Sequence, residues 1–139
     1  MKIKPHAKPK RNQSVGFWSR KADKQLQENY RLMFQEDGCL LCGGAYSCQH
    51  HIVLKSASTF LRYKDTNLVS VCVSCHFKFH NNELTLAKKV LDQLIEIRGQ
   101  DWYDELLVLR NNNRYINAGY CYYRDMFEKL SKIKPYKTK

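Results

Sequence analysis

Two short stretches hold most of the residues able to do chemistry: CLLCGGAYSCQHH at 39–51 and VCVSCHFKFH at 71–80. Four cysteines in them form two Cys-x-x-Cys pairs, Cys39/Cys42 and Cys72/Cys75, about thirty residues apart. Two such knuckles brought together make a thiolate cage, which suits structural zinc because Zn²⁺ accepts four sulfurs without geometric strain. Gly43 and Gly44 follow the first pair, where the chain must turn tightly and offer N–H groups to the sulfurs. Cys48 and Cys121 have no pair and read as small core residues.

That cage leaves His76 and His80 free. They stand at i and i+4 on a helix expected to start near Ser74, so they project from one face and can share a second ion. The candidates for a third ligand are His50 and His51. Consecutive strand residues point to opposite sides. One of the two can therefore bind the ion while the other stands beside it, free to take a proton. A single Cys₂His₂ finger from Cys39, Cys42, His76 and His80 would need 33 intervening residues, against about a dozen in that motif. It would also orphan Cys72, Cys75 and both of His50 and His51. Thiol redox chemistry would want one reactive pair on a thioredoxin-like βαβ background, which the sequence lacks.

These residues need elements to carry them. From Ser19 to Asp37, Ala22, Leu26, Tyr30 and Met33/Phe34 recur at helical spacing, with Ser19 as N-cap and Gly38 as the stop. This helix leads into Cys39. A knuckle and a short β-like run follow, then a polar loop over 54–66, then a strand from Asn67 in which Val69 and Val71 alternate with Ser70 and Cys72. A second knuckle and the histidine-bearing helix come next. Further helices are expected over Leu84–Arg98, stopped by Gly99, and from Asp101 to a break at Asn111–Asn113. A last one carries Ile116, Tyr120, Tyr123, Phe127 and Leu130 as a stripe for core or interface packing.

The expected class is α+β, a small ββα core with a four-cysteine zinc site flanked by N- and C-terminal helices. Residues 1–18 read as a basic flexible arm, 19–83 as helix plus core, 84–133 as a helical region and 134–139 as a basic tail. The chain has 139 residues, a formal charge of +11 and a mean hydropathy of −0.61. A surplus of this size points to a polyanionic partner. It is concentrated at the ends: residues 1–24 carry eight Lys/Arg against Asp23 alone. No run of about 18 apolar residues marks a membrane span. The N-terminus has charge but no apolar stretch behind it, unlike a secretory signal. Six cysteines without an export signal then suggest a reducing compartment.

CLLC, then HHI, then NLVSVCVSCHFKFH together resemble the HNH (His-Asn-His) endonuclease family, whose active site is a ββα-metal motif, and in particular its zinc-stapled branch. The resemblance covers residues 39–80. It implies His50, His76 and His80 as ligands of a catalytic ion, His51 as general base and Asn67 as the residue that orients it. Many members have Asp where this chain has His50. Three neutral imidazoles favour Zn²⁺, Mn²⁺ or Ni²⁺ over the oxygen-preferring Mg²⁺. A looser similarity, LRYKDTNLVSVCVSCH followed by LIEIRGQDWYDEL, is to phage recombination nucleases of the Rap/NinG type, which act on branched DNA.

The implied activity is metal-dependent hydrolysis of DNA to 5′-phosphate and 3′-hydroxyl, in the cytoplasm of a bacterium or of a phage-infected host. Lys55, Arg62 and Lys78 flank the motif and are candidates to neutralise the DNA backbone or are ordinary surface charge. Symmetric cutting would call for a homodimer, which the C-terminal stripe could provide. The reading from a different class is a non-catalytic zinc-stabilised nucleic-acid-binding module.

Overall fold

The structure, a computed structural model, describes residues 2, 7–8, 10–80 and 84–133. Helix dominates: α1 (Val15–Phe34), α2 (Val73–His80), α3 (Leu84–Arg98), α4 (Gln100–Asn112) and α5 (Tyr120–Lys132) surround a two-stranded antiparallel sheet of β1 (Cys48–His51) and β2 (Leu68–Val71). The expected α+β class holds at this level. The order β1, β2, α2 supplies a small ββα-like unit.

α1 starts four residues before the expected Ser19. Ser14 is the cap, its Oγ accepting the Phe17 N–H at 3.4 Å. The reason lies one turn upstream of Ala22. Trp18 continues the apolar stripe and packs against Phe127, ring centroids 5.9 Å apart, so tertiary contact extends the helix into what composition alone read as arm. The arm's residues 1, 3–6 and 9, and the whole of the tail 134–139, lie outside the described residues. At the other end of α1, Gly38 adopts φ 73°, and a Cβ there would meet the Gly44 carbonyl at 2.6 Å. Only glycine fits this turn into the first knuckle.

α5 begins at Tyr120, after Gly119, leaving Ile116 outside the helix. Part of its stripe packs within the chain. Leu130 is buried with Ala22, Leu26 and Leu68, and Phe127 and Met126 pack on the same cluster. Asn29 on α1 locks the pair by donating Nδ2–H to the Leu130 carbonyl at 2.9 Å. Phe127 and Leu130 of the stripe are therefore used inside the chain. α3 has the expected span. α4 begins one residue before Asp101 and carries through Asn111 and Asn112, with Asn113 as its C-cap.

A second cluster lies under the sheet, where Val69, Val71, Cys39, Cys75 and Leu94 are buried together. A third joins Val53, Leu61 and Leu106. Three small clusters make a thin core for a chain of this length. Such domains use a staple to hold their geometry.

One carboxylate ties the helical layer to the loop between the strands. Asp23 accepts from Arg62 Nε at 2.9 Å, from the Tyr63 hydroxyl at 3.0 Å and from Lys55 Nζ at 3.3 Å. Burial pushes the Asp23 carboxyl up, but the Arg62 hydrogen bond and charge, with Lys55 and Tyr63, outweigh it and hold the group below its usual 3.8. Asp23→Asn is expected to destabilise the fold by about 2 kcal/mol, the scale of hydrogen bonds to a charged partner. A carboxylate favoured by the fold stabilises above its unfolded pKa. The gap between the two proteins in urea unfolding should be full at neutral pH and close as pH falls below 3.8.

Candidate metal centres

The first knuckle is built by backbone geometry. The Cys39 N–H donates to the Gly44 carbonyl at 2.8 Å and Gly43 N–H to the Cys39 carbonyl at 2.9 Å, with Gly43 at φ 72°. Gly44 N–H points at Cys42 Sγ, 3.4 Å away, as its place after the pair suggested. The second knuckle is the end of β2 running into α2, where the Cys75 N–H faces Cys72 Sγ at 3.3 Å. Leu40 N–H donates to the Ser70 carbonyl at 2.9 Å and so sews one knuckle to the other.

The four sulfurs of Cys39, Cys42, Cys72 and Cys75 lie within 4.8 Å of one another. Cys42 and Cys72 Sγ are 3.6 Å apart, close to the edge of about 3.8 Å for a tetrahedron with Zn–S bonds of about 2.3 Å. Burial pushes the Cys39 thiol up, yet N–H groups at Cys42, Cys72 and Leu41 overcome this and bring it down to about 7. The donor set and spacing fit structural zinc.

On the other side of α2 the imidazole nitrogens of His50, His76 and His80 also converge within 4.8 Å. His76 and His80 present Nε2 to each other at 3.0 Å, near the edge of about 3.3 Å between nitrogens on a tetrahedron with bonds of about 2.0 Å. Two residues unnoticed as site neighbours fix these rings. Phe79 stacks on His50, centroids 3.9 Å apart and planes 17° from parallel. Cys48, read as a small core residue, places its sulfur 3.5 Å from His76 Nδ1 and so leaves Nε2 as the nitrogen that faces the cluster. His50 is 3% exposed. Burial, then the neighbouring His76 and His80, pushes its pKa down to about 3. His76 is lowered in the same way, by burial and then by His80. Neutral imidazoles with lone pairs aimed at one point are what a divalent ion requires, so this donor set fits one too.

His51 stands next to the triad and outside it. It pairs with Leu68 across the sheet, whereas His50 pairs with Val69, so the two rings leave opposite faces. Both nevertheless line one cavity of about 340 Å³, along with His76, His80, Gln27 and Lys55. His51 Nε2 lies 2.8 Å from the Arg62 carbonyl. A carbonyl can only accept, so Nε2 carries the hydrogen and the neutral ring keeps its lone pair on Nδ1. Burial lowers the pKa of His51, against an opposing contribution from that carbonyl, which favours the neutral ring near pH 7.

The His51 ring is therefore not held by the Asn67 side chain. That side chain accepts the Val53 N–H at 2.7 Å and donates Nδ2–H to the carbonyls of Val53 at 3.0 Å and Leu61 at 3.1 Å. Fully buried, Asn67 pins the loop between the strands, and this loop carries Arg62. Its effect on His51 is indirect. Arg62 itself is bound to Asp23 rather than open to a phosphate. Lys55 lines the cavity and reaches Asp23 across its rim. Lys78 is exposed on α2, about 160° around the axis from His80, and faces away from the cluster. Asp23 carried no local signal of its role, since its partners are more than thirty residues away.

No helix among the described residues is long and apolar enough to cross a membrane. What stands on the described residues is a helix-rich α+β chain with a four-cysteine cluster compatible with zinc and a histidine triad able to hold a second metal. Comparison with protein-family models gives no match to this chain, and neither do comparisons with curated proteins and with solved structures.

Proposed function

We propose that this protein is a metal-dependent DNA endonuclease of the HNH type, hydrolysing phosphodiester bonds to 5′-phosphate and 3′-hydroxyl. One observation carries the reading: a fourth imidazole, His51, lines the same cavity as the three-imidazole cluster, locked by a backbone carbonyl into the tautomer with a free Nδ1. A module that only bound nucleic acid would need the sulfur centre and the positive charge. It would have no use for an oriented base.

A phosphodiester resists water because its charge repels nucleophiles and its alkoxide leaves poorly. His51 addresses the first difficulty by taking a proton from water at Nδ1, while the Arg62 carbonyl keeps Nε2–H in place as the ring becomes positive. His50, His76 and His80 would hold a divalent ion, which when bound would supply positive charge to the phosphate and the departing 3′ oxygen. The three ligands come from β1 and α2, and the four-cysteine cluster fastens the knuckle that precedes β1 to the junction of β2 and α2, which gives the sulfur centre an architectural role. Surplus charge draws the DNA in: Lys8, Arg11, Arg20, Lys21 and Lys24 line one open cavity of about 600 Å³ at the start of α1, with no carboxylate among its lining residues.

The test is incubation of the purified chain with supercoiled, linear and four-way-junction DNA, with Mg²⁺, Mn²⁺, Zn²⁺, Ni²⁺ or chelator. Metal-dependent strand cleavage leaving ligatable ends is expected, with Mn²⁺, Zn²⁺ or Ni²⁺ at least matching Mg²⁺. DNA binding without cleavage under every metal would leave the non-catalytic module as the function.

A further inference from the structure

α2 carries more than the histidines and the second knuckle. Its residues fall around the axis at about 100° each. Cys75 and Phe79 face the core, and His76 and His80 occupy the next sector. Val73 and Phe77 follow, with Phe77 about 60° around from His80 and about 40° from Val73. Those two side chains are 73% and 68% exposed. They form an apolar stripe along the outer edge of the histidine cluster on the same rigid helix. The chain handles its other phenylalanine on α2 in the opposite way, stacking Phe79 on His50.

We propose that Phe77, backed by Val73, is a wedge that packs on an unpaired or unstacked base beside the bond being cut. This makes it the residue that selects distorted or branched DNA over a regular duplex. The inference rests on the nuclease reading and deepens it. Phe77 lies about 4.5 Å along the axis from His80. Bases rise about 3.4 Å apart along a strand. A phosphate held at the imidazoles would therefore stand one sector around α2 from the phenyl ring, with a neighbouring base of the strand on that side. Apolar side chains that enter DNA do so between base steps, and the cost of unstacking is least where a base is already unpaired. An aromatic face accepts any base, so the preference would concern structure and not sequence. A second copy of the chain is the competing occupant. The position beside the cluster favours DNA, because a partner covering Phe77 would also crowd the cavity that substrate must enter.

The experiment measures binding apart from catalysis. Full-length His51→Ala and His51→Ala/Phe77→Ala proteins are compared for affinity, by fluorescence anisotropy, to a fully paired duplex and to the same duplex with a two-base bulge. Zinc content and far-UV circular dichroism report the fold. The expected result is a bulge preference of about tenfold that Phe77→Ala abolishes and Phe77→Trp restores, with affinity for paired DNA unchanged. Equal preference in the alanine variant overturns the wedge. So does sedimentation showing that Phe77→Ala dissolves a dimer while leaving the preference intact. A wild-type chain that cleaves paired DNA but shows no bulge preference overturns the wedge alone, whereas one that neither binds nor cuts DNA overturns the nuclease reading with it.

Discussion

Replacing His51 by alanine is expected to lower the rate of DNA cleavage by about 10²–10⁴-fold, the usual contribution of a positioned general base. The variant should keep its zinc, its circular dichroism and its affinity for DNA. His51 lies outside the imidazole triad, and its single hydrogen bond from the ring goes to the Arg62 carbonyl. Single-turnover cleavage under saturating DNA isolates the chemical step. A rate equal to wild type would remove His51 from the mechanism. His51→Gln should be as slow as the alanine variant, because an amide can hydrogen-bond the carbonyl but cannot accept the proton.

Cys39→Ala should abolish the cooperative fold. Cys39 is 3% exposed and belongs to the cluster of Val69, Val71, Cys75 and Leu94, so its sulfur is both ligand and core atom. Apparent zinc affinities in small structural sites amount to about 10–16 kcal/mol, while whole domains are stable by only about 5–15 kcal/mol. Losing the ion outweighs what three thin clusters can supply. Metal analysis of the wild type should find one tightly held zinc per chain. The variant should show none and melt without a transition. Cys121→Ala, at an exposed position on α5, is the control and should melt with the wild type. A zinc-free wild type with an ordinary melting curve would refute the sulfur centre.

Much of the site could be read from the chain because its logic is local. Paired cysteines three residues apart, and histidines four apart on one helix, converge wherever the ends of two elements meet, and β2 running into α2 arranges that meeting. What could not be read depended on the path of the chain between elements. The group holding His51 is a backbone carbonyl eleven residues away, and no side-chain pattern announces a carbonyl. Asn67 was legible as a special residue but not in its role, since its three hydrogen bonds close a loop whose course the sequence leaves open. Arg62 looked like a free cation until the fold brought up Asp23. The start of α1 was missed because Trp18 acts through Phe127, more than a hundred residues further on.

Cys75 and His76 are neighbours in the chain, on one short helix whose two sides serve the two clusters. Occupancy of the pair cannot be independent. Until sulfur has captured its ion and set the helix against the hairpin, the imidazoles have no common point to share. Loading is thus expected to be ordered, the sulfur centre first and the imidazole centre second. A titration of the chelator-stripped chain should show the second ion binding only after the first has saturated.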